Sequence, residues 1–184
     1  ALESVLNAES PVRTVGFFGV EGEHLYCCTN CETLSLWHPQ DAQRIADYGD
    51  IRSLASPGVG SGAGARAGAG AGAEAAMGWG GGGSEAGSGG ARAGWGVTVD
   101  YAVGCHYEQA QDQLWLVAGG FDGRGVLARV FREGLTPEAL LGGGHREQIR
   151  AFDWRGESGG GGAGLSVVTG GEDAKVCSWG VPSG

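Results

Sequence analysis

The chain has 184 residues and a formal net charge of −9, which is long enough for one domain with a sizeable core. Its 12 basic residues are outnumbered by 21 acidic ones and form no cluster. Because proteins engage phosphate backbones through Lys and Arg, we expect no direct binding to nucleic acid. We also expect no membrane partner, since no apolar run is long enough to span a bilayer.

The 40 glycines of the chain are unevenly distributed, and residues 57–96 contain 31 Gly, Ala or Ser among 40 positions. Such a segment has too few apolar side chains to offset the entropy of ordering it, so we predict a disordered insertion there. Trp79 and Trp95 lie inside it. Exposed aromatic residues often anchor partners, although chance occurrence in a low-complexity segment is the simpler interpretation.

Outside the insertion, short β-rich or alternating runs recur in groups of three, as expected for antiparallel sheets. The predicted strands are 12–18, 25–29 and 33–37, then 97–103, 113–118 and 126–131, and finally 149–154, 165–169 and 175–179. Shorter candidates for outer strands are 43–46 and 138–141. A further candidate, 3–7, precedes the first group and is interpreted as the outer strand of a preceding unit.

The third group has the most specific pattern in the chain. Gly144-His145 opens it, and Thr169 and Asp173 lie ten and six residues before Trp179. This outline is typical of a WD repeat, which forms one blade of a β-propeller. In that pattern the aspartate binds the histidine, the histidine binds the hydroxyl, and the hydroxyl binds the indole. We therefore expect His145, Thr169, Asp173 and Trp179 to form one structural tetrad, because buried polar groups are tolerated only in a satisfied network.

The first two groups keep the spacing but lose most of these residues. In the first, Trp37 is present, but Cys31, Cys27 and Ala8 stand where Asp, Ser or Thr, and His are expected. In the second, residues 118–122 parallel 169–173, whereas Ala128 or a neighbour replaces the tryptophan. Apolar side chains can fill such positions, so we expect blades without the polar network.

Several short motifs carry a resemblance to a known family. In chain order they are Leu25-Tyr26-Cys27 with Leu36-Trp37, Asp50-Ile51-Arg52, Asp100-Tyr101-Ala102-Val103-Gly104, Gly143-Gly144-His145 and Thr169-Gly170-Gly171-Glu172-Asp173-Ala174. In this order the chain resembles the three carboxyl-terminal blades of the WD repeat-containing protein 89 family. The resemblance implies a WD-repeat propeller of seven blades without known catalysis, and it covers nearly all of the chain outside 57–96.

We therefore predict an all-β fold, a partial WD-repeat β-propeller of about three blades. Residues 1–56 hold an outer strand of a preceding blade and the first blade, 57–96 the insertion, 97–142 the second blade, and 143–184 the third. Three blades cannot close a ring, since propellers typically have four to eight. We expect the remaining blades to be partners of this segment, which would self-associate when isolated.

The five cysteines are an odd number and suggest a reduced intracellular compartment, cytoplasmic or nuclear. Cys28 and Cys31 form a C-x-x-C pattern, which leaves open a metal- or thiol-dependent site. Cys27 and Cys28 are adjacent in a predicted strand and must face opposite sides. Packed, reduced cysteines are therefore the preferred interpretation, and we expect no bound metal.

For function, we predict no enzymatic activity, no cofactor, and a scaffold that binds other proteins through the loops of one face. The expected partner face contains Asn30, Phe121, Glu147, Gln148 and Glu172. A second alternative is an assembly factor in a ribonucleoprotein that contacts RNA only through protein partners.

Overall fold

The computed structural model describes residues 4–55, 95–155 and 166–180, and strands make up 59% of the structure. The strands are β1 Val12–Phe18, β2 His24–Thr29, β3 Thr33–His38, β4 Gln43–Asp50, β5 Tyr101–Glu108, β6 Gln113–Gly119, β7 Gly125–Phe131, β8 Gly134–Leu141, β9 Ile149–Arg155, β10 Ser166–Gly171 and β11 Val176–Gly180. Helix is confined in these residues to α1, Ile51–Ala55, and one 3-10 turn, Gln109–Gln111.

The strands form three antiparallel sheets in chain order. The first sheet is β1-β2-β3-β4, the second is β5-β6-β7-β8, and the third is β9-β10-β11. Consecutive strands are hydrogen-bonded neighbours, because short turns join them and each adds to the edge just formed. This arrangement confirms the expected all-β fold and is consistent with a partial WD-repeat propeller.

The second sheet is buried on both faces, and its sequence explains why. Along β6, Leu114 and Leu116 belong to the core shared with the first sheet, while Trp115 and Val117 belong to the core shared with the third. Successive side chains of a strand point to opposite faces, so a continuous apolar run supplies both cores. The first core is the larger one and lies between the first and second sheets.

The strand β1 exposes apolar side chains on the outer face of the first sheet. Val15 and Phe17 on β1 are 53% and 64% exposed, and Val12 is 49% exposed. Among the described residues β11 is an edge strand of the third sheet, whereas the first two sheets each have a fourth strand at the corresponding place. Exposed apolar faces and open strand edges both favour association with another chain or segment.

Two expected strands differ from the structure. The strand predicted at 97–103 is β5, which begins at Tyr101 and continues to Glu108. Val97 and Val99 are buried and Thr98 is exposed, so the side chains alternate as predicted, but residues 95–100 are not part of a strand. The backbone N–H of Asp100 donates to the carbonyl of Gly119 at 2.9 Å, so hydrogen bonding to β6 already includes the residue before β5. The predicted strand 3–7 is likewise not a strand over its described residues 4–7. A strand requires a hydrogen-bonded neighbour, which the side-chain pattern alone does not supply.

The predicted insertion 57–96 lies outside the described residues except for Trp95 and Gly96. Trp95 is only 6% exposed and packs in the first core. The suggestion that Trp95 anchors a partner from a flexible loop is therefore wrong, because its indole is already buried within the protein. Trp79 remains outside the described residues.

Candidate functional site

The turns that join the second and third strands of each sheet share one geometry. In each, a backbone N–H at the fourth position donates to the carbonyl of the first, from Glu32 to Thr29, from Gly123 to Gly120 and from Ala174 to Gly171. The donor residue always has a positive φ, at 60°, 82° and 58° respectively. These equivalent turns bring the expected partner residues Asn30, Phe121 and Glu172 to the same position in the three sheets.

Beside the third turn, four polar side chains form a continuous hydrogen-bonded chain. Trp179 Nε1 donates to Thr169 Oγ1 at 2.7 Å, and Thr169 Oγ1 lies 2.8 Å from His145 Nε2. His145 Nδ1 lies 3.0 Å from Asp173 Oδ1. Because an ionised carboxylate can only accept, we assign the proton to Nδ1, so that Nε2 accepts from the Thr169 hydroxyl. Each group then has a partner.

Asp173 is held as a carboxylate by several donors. The hydrogen bond from His145 lowers the pKa of Asp173 to about 2, and the backbone N–H groups of Arg146 and Lys175 add to the effect. Gly171 is required beside it, since a Cβ there would lie 2.5 Å from His145 Nδ1. The Gly-Gly-Glu-Asp sequence therefore combines a tight turn with space for the imidazole.

The first sheet replaces this network with a simpler one. Trp37 Nε1 donates to Ser35 Oγ at 2.8 Å, and both side chains are buried. Cys27, which stands at the position of the expected hydroxyl, is paired with Ser35 across the strands. The hydroxyl that accepts from the tryptophan therefore lies on the third strand of the first sheet, whereas in the third sheet it lies on the second strand. Sequence reasoning missed Ser35, although a serine two residues before the tryptophan, on the same strand face, was the available signal.

The second sheet has no corresponding network among its described residues. Ala128 is fully buried at the tryptophan position, and Asp122 binds Arg124 on the surface at 2.7 Å. The turn is held instead by Asp100, whose carboxylate accepts the backbone N–H of Phe121 at 2.8 Å.

The expected partner residues are all at least partly exposed, and some lie close together. Asn30, Phe121, Glu147 and Glu172 are exposed, and Gln148 is half-buried. The backbone carbonyl of Gln148 accepts from the N–H of Glu172 at 2.9 Å, which joins the β9 entry to the third turn. The turn of the second sheet lies next to the segment that precedes β9, because a Cβ at Gly123 would lie 2.7 Å from the carbonyl carbon of His145.

Phe121 is the large apolar side chain of this face. It is 62% exposed and stacks on Tyr101, with ring centroids 5.9 Å apart. Tyr101 is fixed in turn because its hydroxyl accepts the backbone N–H of Ile149 at 2.7 Å, and burial raises the pKa of Tyr101. The exposed ring of Phe121 therefore packs on Tyr101, a side chain that is itself hydrogen-bonded between the second and third sheets.

Charged groups of both signs lie on the turns and strand ends of the second and third sheets. Arg150 Nε donates to Glu172 at 2.7 Å, Arg124 pairs with Asp122, and Lys175 lies 3.6 Å from Asp173. This edge therefore carries ion pairs of both signs in addition to the exposed aromatic side chain of Phe121.

The candidate thiol site at Cys28 and Cys31 has a different arrangement. Cys28 is buried and its Sγ lies 3.9 Å from Sγ of Cys105 on β5, whereas Cys31 is exposed on the turn. Within residues 4–55, 95–155 and 166–180, no three His, Cys, Asp or Glu side chains are arranged to hold a metal ion. In the same part of the chain, no helix is long and apolar enough to cross a membrane.

Comparison with known proteins gives two informative similarities, while no protein-family model matches the chain. The chain is 30% identical over 182 residues to the WD repeat-containing protein GTS1 of Arabidopsis thaliana, covering 97% of this chain and 37% of that protein. It is 24% identical over 180 residues to the WD repeat-containing protein 89 homolog of Dictyostelium discoideum, covering 97% and 38%. The chain therefore spans just over a third of the length of these relatives.

Proposed function

Since these similarities and the three antiparallel sheets support a WD-repeat family for this chain, we propose that it is a non-enzymatic propeller segment and a protein–protein interaction scaffold. Its partner face is the edge formed by the three equivalent turns and the β9 entry, with Asn30, Phe121, Glu147, Gln148 and Glu172. The partner is another protein, and the remaining blades of a propeller are further partners of the sheets. The compartment is the cytoplasm or the nucleus.

The observation that carries this proposal is the exposed ring of Phe121 on its fixed support. Interface hot spots are enriched in aromatic residues that are surrounded by polar groups and held in place before binding. Phe121 fits this description, because Tyr101 stacks on it, Asp100 holds its backbone N–H, and its chain neighbour Asp122 is paired with Arg124. An edge with charges of both signs fits a folded protein surface better than a polyanion.

The environment of His145 argues against catalysis at the tetrad. The side chain of His145 is fully buried, and both of its ring nitrogens are engaged in hydrogen bonds. A general base must reach a substrate proton, and His145 has neither a free nitrogen nor access to solvent. This supports a structural role for the tetrad, which holds the turn that carries Glu172.

The test compares Phe121→Ala with Phe131→Ala in affinity capture from cell extract. Phe131 is the matched control, because it is 40% exposed and lies at the opposite end of β7. We expect Phe121→Ala to reduce recovery of a specific partner at least tenfold, which corresponds to about 1.4 kcal/mol, while Phe131→Ala leaves it unchanged. Equal recovery with both variants would contradict the proposed face.

Each capture is repeated after nuclease treatment. We expect recovery to be unchanged, because the face is proposed to contact protein directly. Loss of every captured protein after nuclease treatment would overturn direct protein binding and favour the ribonucleoprotein alternative.

A further inference from the structure

Cys28 and Cys105 form a buried pair across the boundary between the first and second sheets. Cys28 lies on β2 and Cys105 on β5, 77 residues apart in the sequence, and their Sγ atoms are 3.9 Å apart. The exposed fractions of the two residues are only 1% and 7%. Two thiols in direct contact need a further approach of only about 1.9 Å to reach the S–S bond length of about 2.0 Å.

We propose that Cys28 and Cys105 are a redox modification site, whose reversible disulfide locks the first sheet to the second. The oxidant class is a small peroxide. This inference is independent of the proposed partner face, since neither sulfur lies on that face.

The backbone around the pair is fixed from both sheets. The Arg13 guanidinium donates to the carbonyl of Ala102 at 2.6 Å, and Glu32 accepts the N–H of Ala102 at 2.6 Å. The hydroxyl of Tyr26 donates to the carbonyl of Cys105 at 3.2 Å. These bonds cross between the sheets on either side of the thiols, so β2 and β5 hold the two sulfurs in contact.

The two thiols differ in how readily they ionise. The hydrogen bond with Cys105, aided by the nearby charge of Arg13, lowers the pKa of Cys28, while that hydrogen bond and burial raise the pKa of Cys105. The thiolate is the reactive form of cysteine. We assign the attacking role to Cys28 and the resolving role to Cys105.

The reaction balances in two steps. The Cys28 thiolate attacks one oxygen of hydrogen peroxide and the O–O bond breaks, which gives a sulfenic acid and a hydroxide ion. The hydroxide takes up the proton that the Cys28 thiol released, and one water leaves. Cys105 then attacks the Cys28 sulfur, the S–O bond breaks, and a second water leaves with the Cys105 proton. The two sulfurs together lose two electrons, and the peroxide gains them. A dithiol reductant reverses the process by exchange.

The remaining cysteines lack this geometry. Cys27 is buried but precedes Cys28 on the same strand, so its side chain points to the other face of the first sheet. Cys31 is exposed on a turn, and Cys177 is in the third sheet.

The experiment treats the folded chain with dilute hydrogen peroxide, blocks free thiols with a maleimide under denaturing conditions, and maps the peptides by mass spectrometry. The number of thiols that react with the maleimide should fall from five to three, and the peptide map should show Cys28 joined to Cys105. A dithiol reductant should restore five. The same treatment in urea, where the sheets are unfolded, should give mixed pairings instead.

Variants separate the lock from nonspecific oxidation. Cys28→Ala and Cys105→Ala should each abolish the cross-linked peptide, whereas the matched neighbour Cys27→Ala should keep it. Oxidation should raise the urea midpoint of the wild type and of Cys27→Ala, because the bond closes a long loop in the unfolded chain. A Cys28–Cys31 link, or oxidation of Cys31 without any Cys28–Cys105 peptide, would overturn the proposal, and peptide mapping of the wild type decides this even if a variant fails to fold.

Discussion

Replacing Thr169 by Val tests the hydrogen-bonded chain at its centre. The hydroxyl of Thr169 accepts from Trp179 and donates to His145, and the residue is fully buried. Valine has nearly the same shape, so the substitution removes the oxygen without opening a cavity. Two polar groups then lose their partner in a site that water does not reach easily.

The expected cost follows from those two groups. A buried polar atom left without a partner costs about 1–3 kcal/mol, and this applies in full to His145, whose side chain is completely buried. Trp179 is half-buried, so its N–H recovers part of the loss from solvent. We therefore expect Thr169→Val to lower the free energy of unfolding by about 2–4 kcal/mol. Thr169→Ser keeps the hydroxyl and loses one methyl group, which costs about 1 kcal/mol.

Urea unfolding of dilute protein, followed by tryptophan fluorescence, measures both variants against the wild type. The order of stability should be wild type, Thr169→Ser, Thr169→Val. If the valine variant were as stable as the serine variant, or lost less than about 0.5 kcal/mol, the hydroxyl would not be the centre of a stabilising network.

Three further predictions concern other parts of the molecule. In an NMR titration the Asp173 carboxyl should have a pKa of about 2. Because this pKa lies below the ordinary 3.8, the stabilisation by the Asp173 carboxylate is complete above pH 3.8 and is lost as the pH falls through about 2. A measured pKa near 3.8 would argue against the hydrogen bond from His145. Gly123→Ala should destabilise the protein by at least about 1 kcal/mol in urea unfolding, because φ of Gly123 is positive and the new Cβ would meet the His145 carbonyl. Ala174→Gly, at the equivalent position of the third sheet, should be neutral or stabilising. The opposite order of stability would refute the shared turn geometry. The isolated chain should self-associate in sedimentation velocity, and Phe17→Lys should reduce this by placing a charge on the exposed face of β1, so identical sedimentation of the two would exclude that face.

Much of the fold was accessible from side-chain patterns. The alternation along β1 and the apolar run of β6 predicted strands, and short turns between them predicted antiparallel neighbours. The spacing of Thr169, Asp173 and Trp179 selected side chains that are hydrogen-bonded through His145. These patterns are local, because a two-residue period and a fixed turn length determine which face each side chain occupies.

Contacts between sheets were not accessible in the same way. The glycine-rich neighbours of Trp95 predict a loop, yet Trp95 packs in the first core. Ser35 and Cys105 belong to no recognisable sequence motif. Ser35 binds Trp37 within the first sheet and Cys105 contacts Cys28 across a sheet boundary, so both roles depend on which side chain lies nearby in space. The alternation at Val97 and Val99 predicts an earlier start for β5, but the strand begins at Tyr101.

The sequence by itself therefore determined the strand class, the turn chemistry and the composition of the tetrad, since each depends on residues a few positions apart. Only the tertiary structure decided that Cys28 faces Cys105, that Tyr101 supports Phe121, and that His145 is sealed from solvent. The physical reason is that such contacts join residues separated by tens of positions. Their geometry follows from how whole sheets pack, and packing is a property of the assembled core rather than of any local pattern.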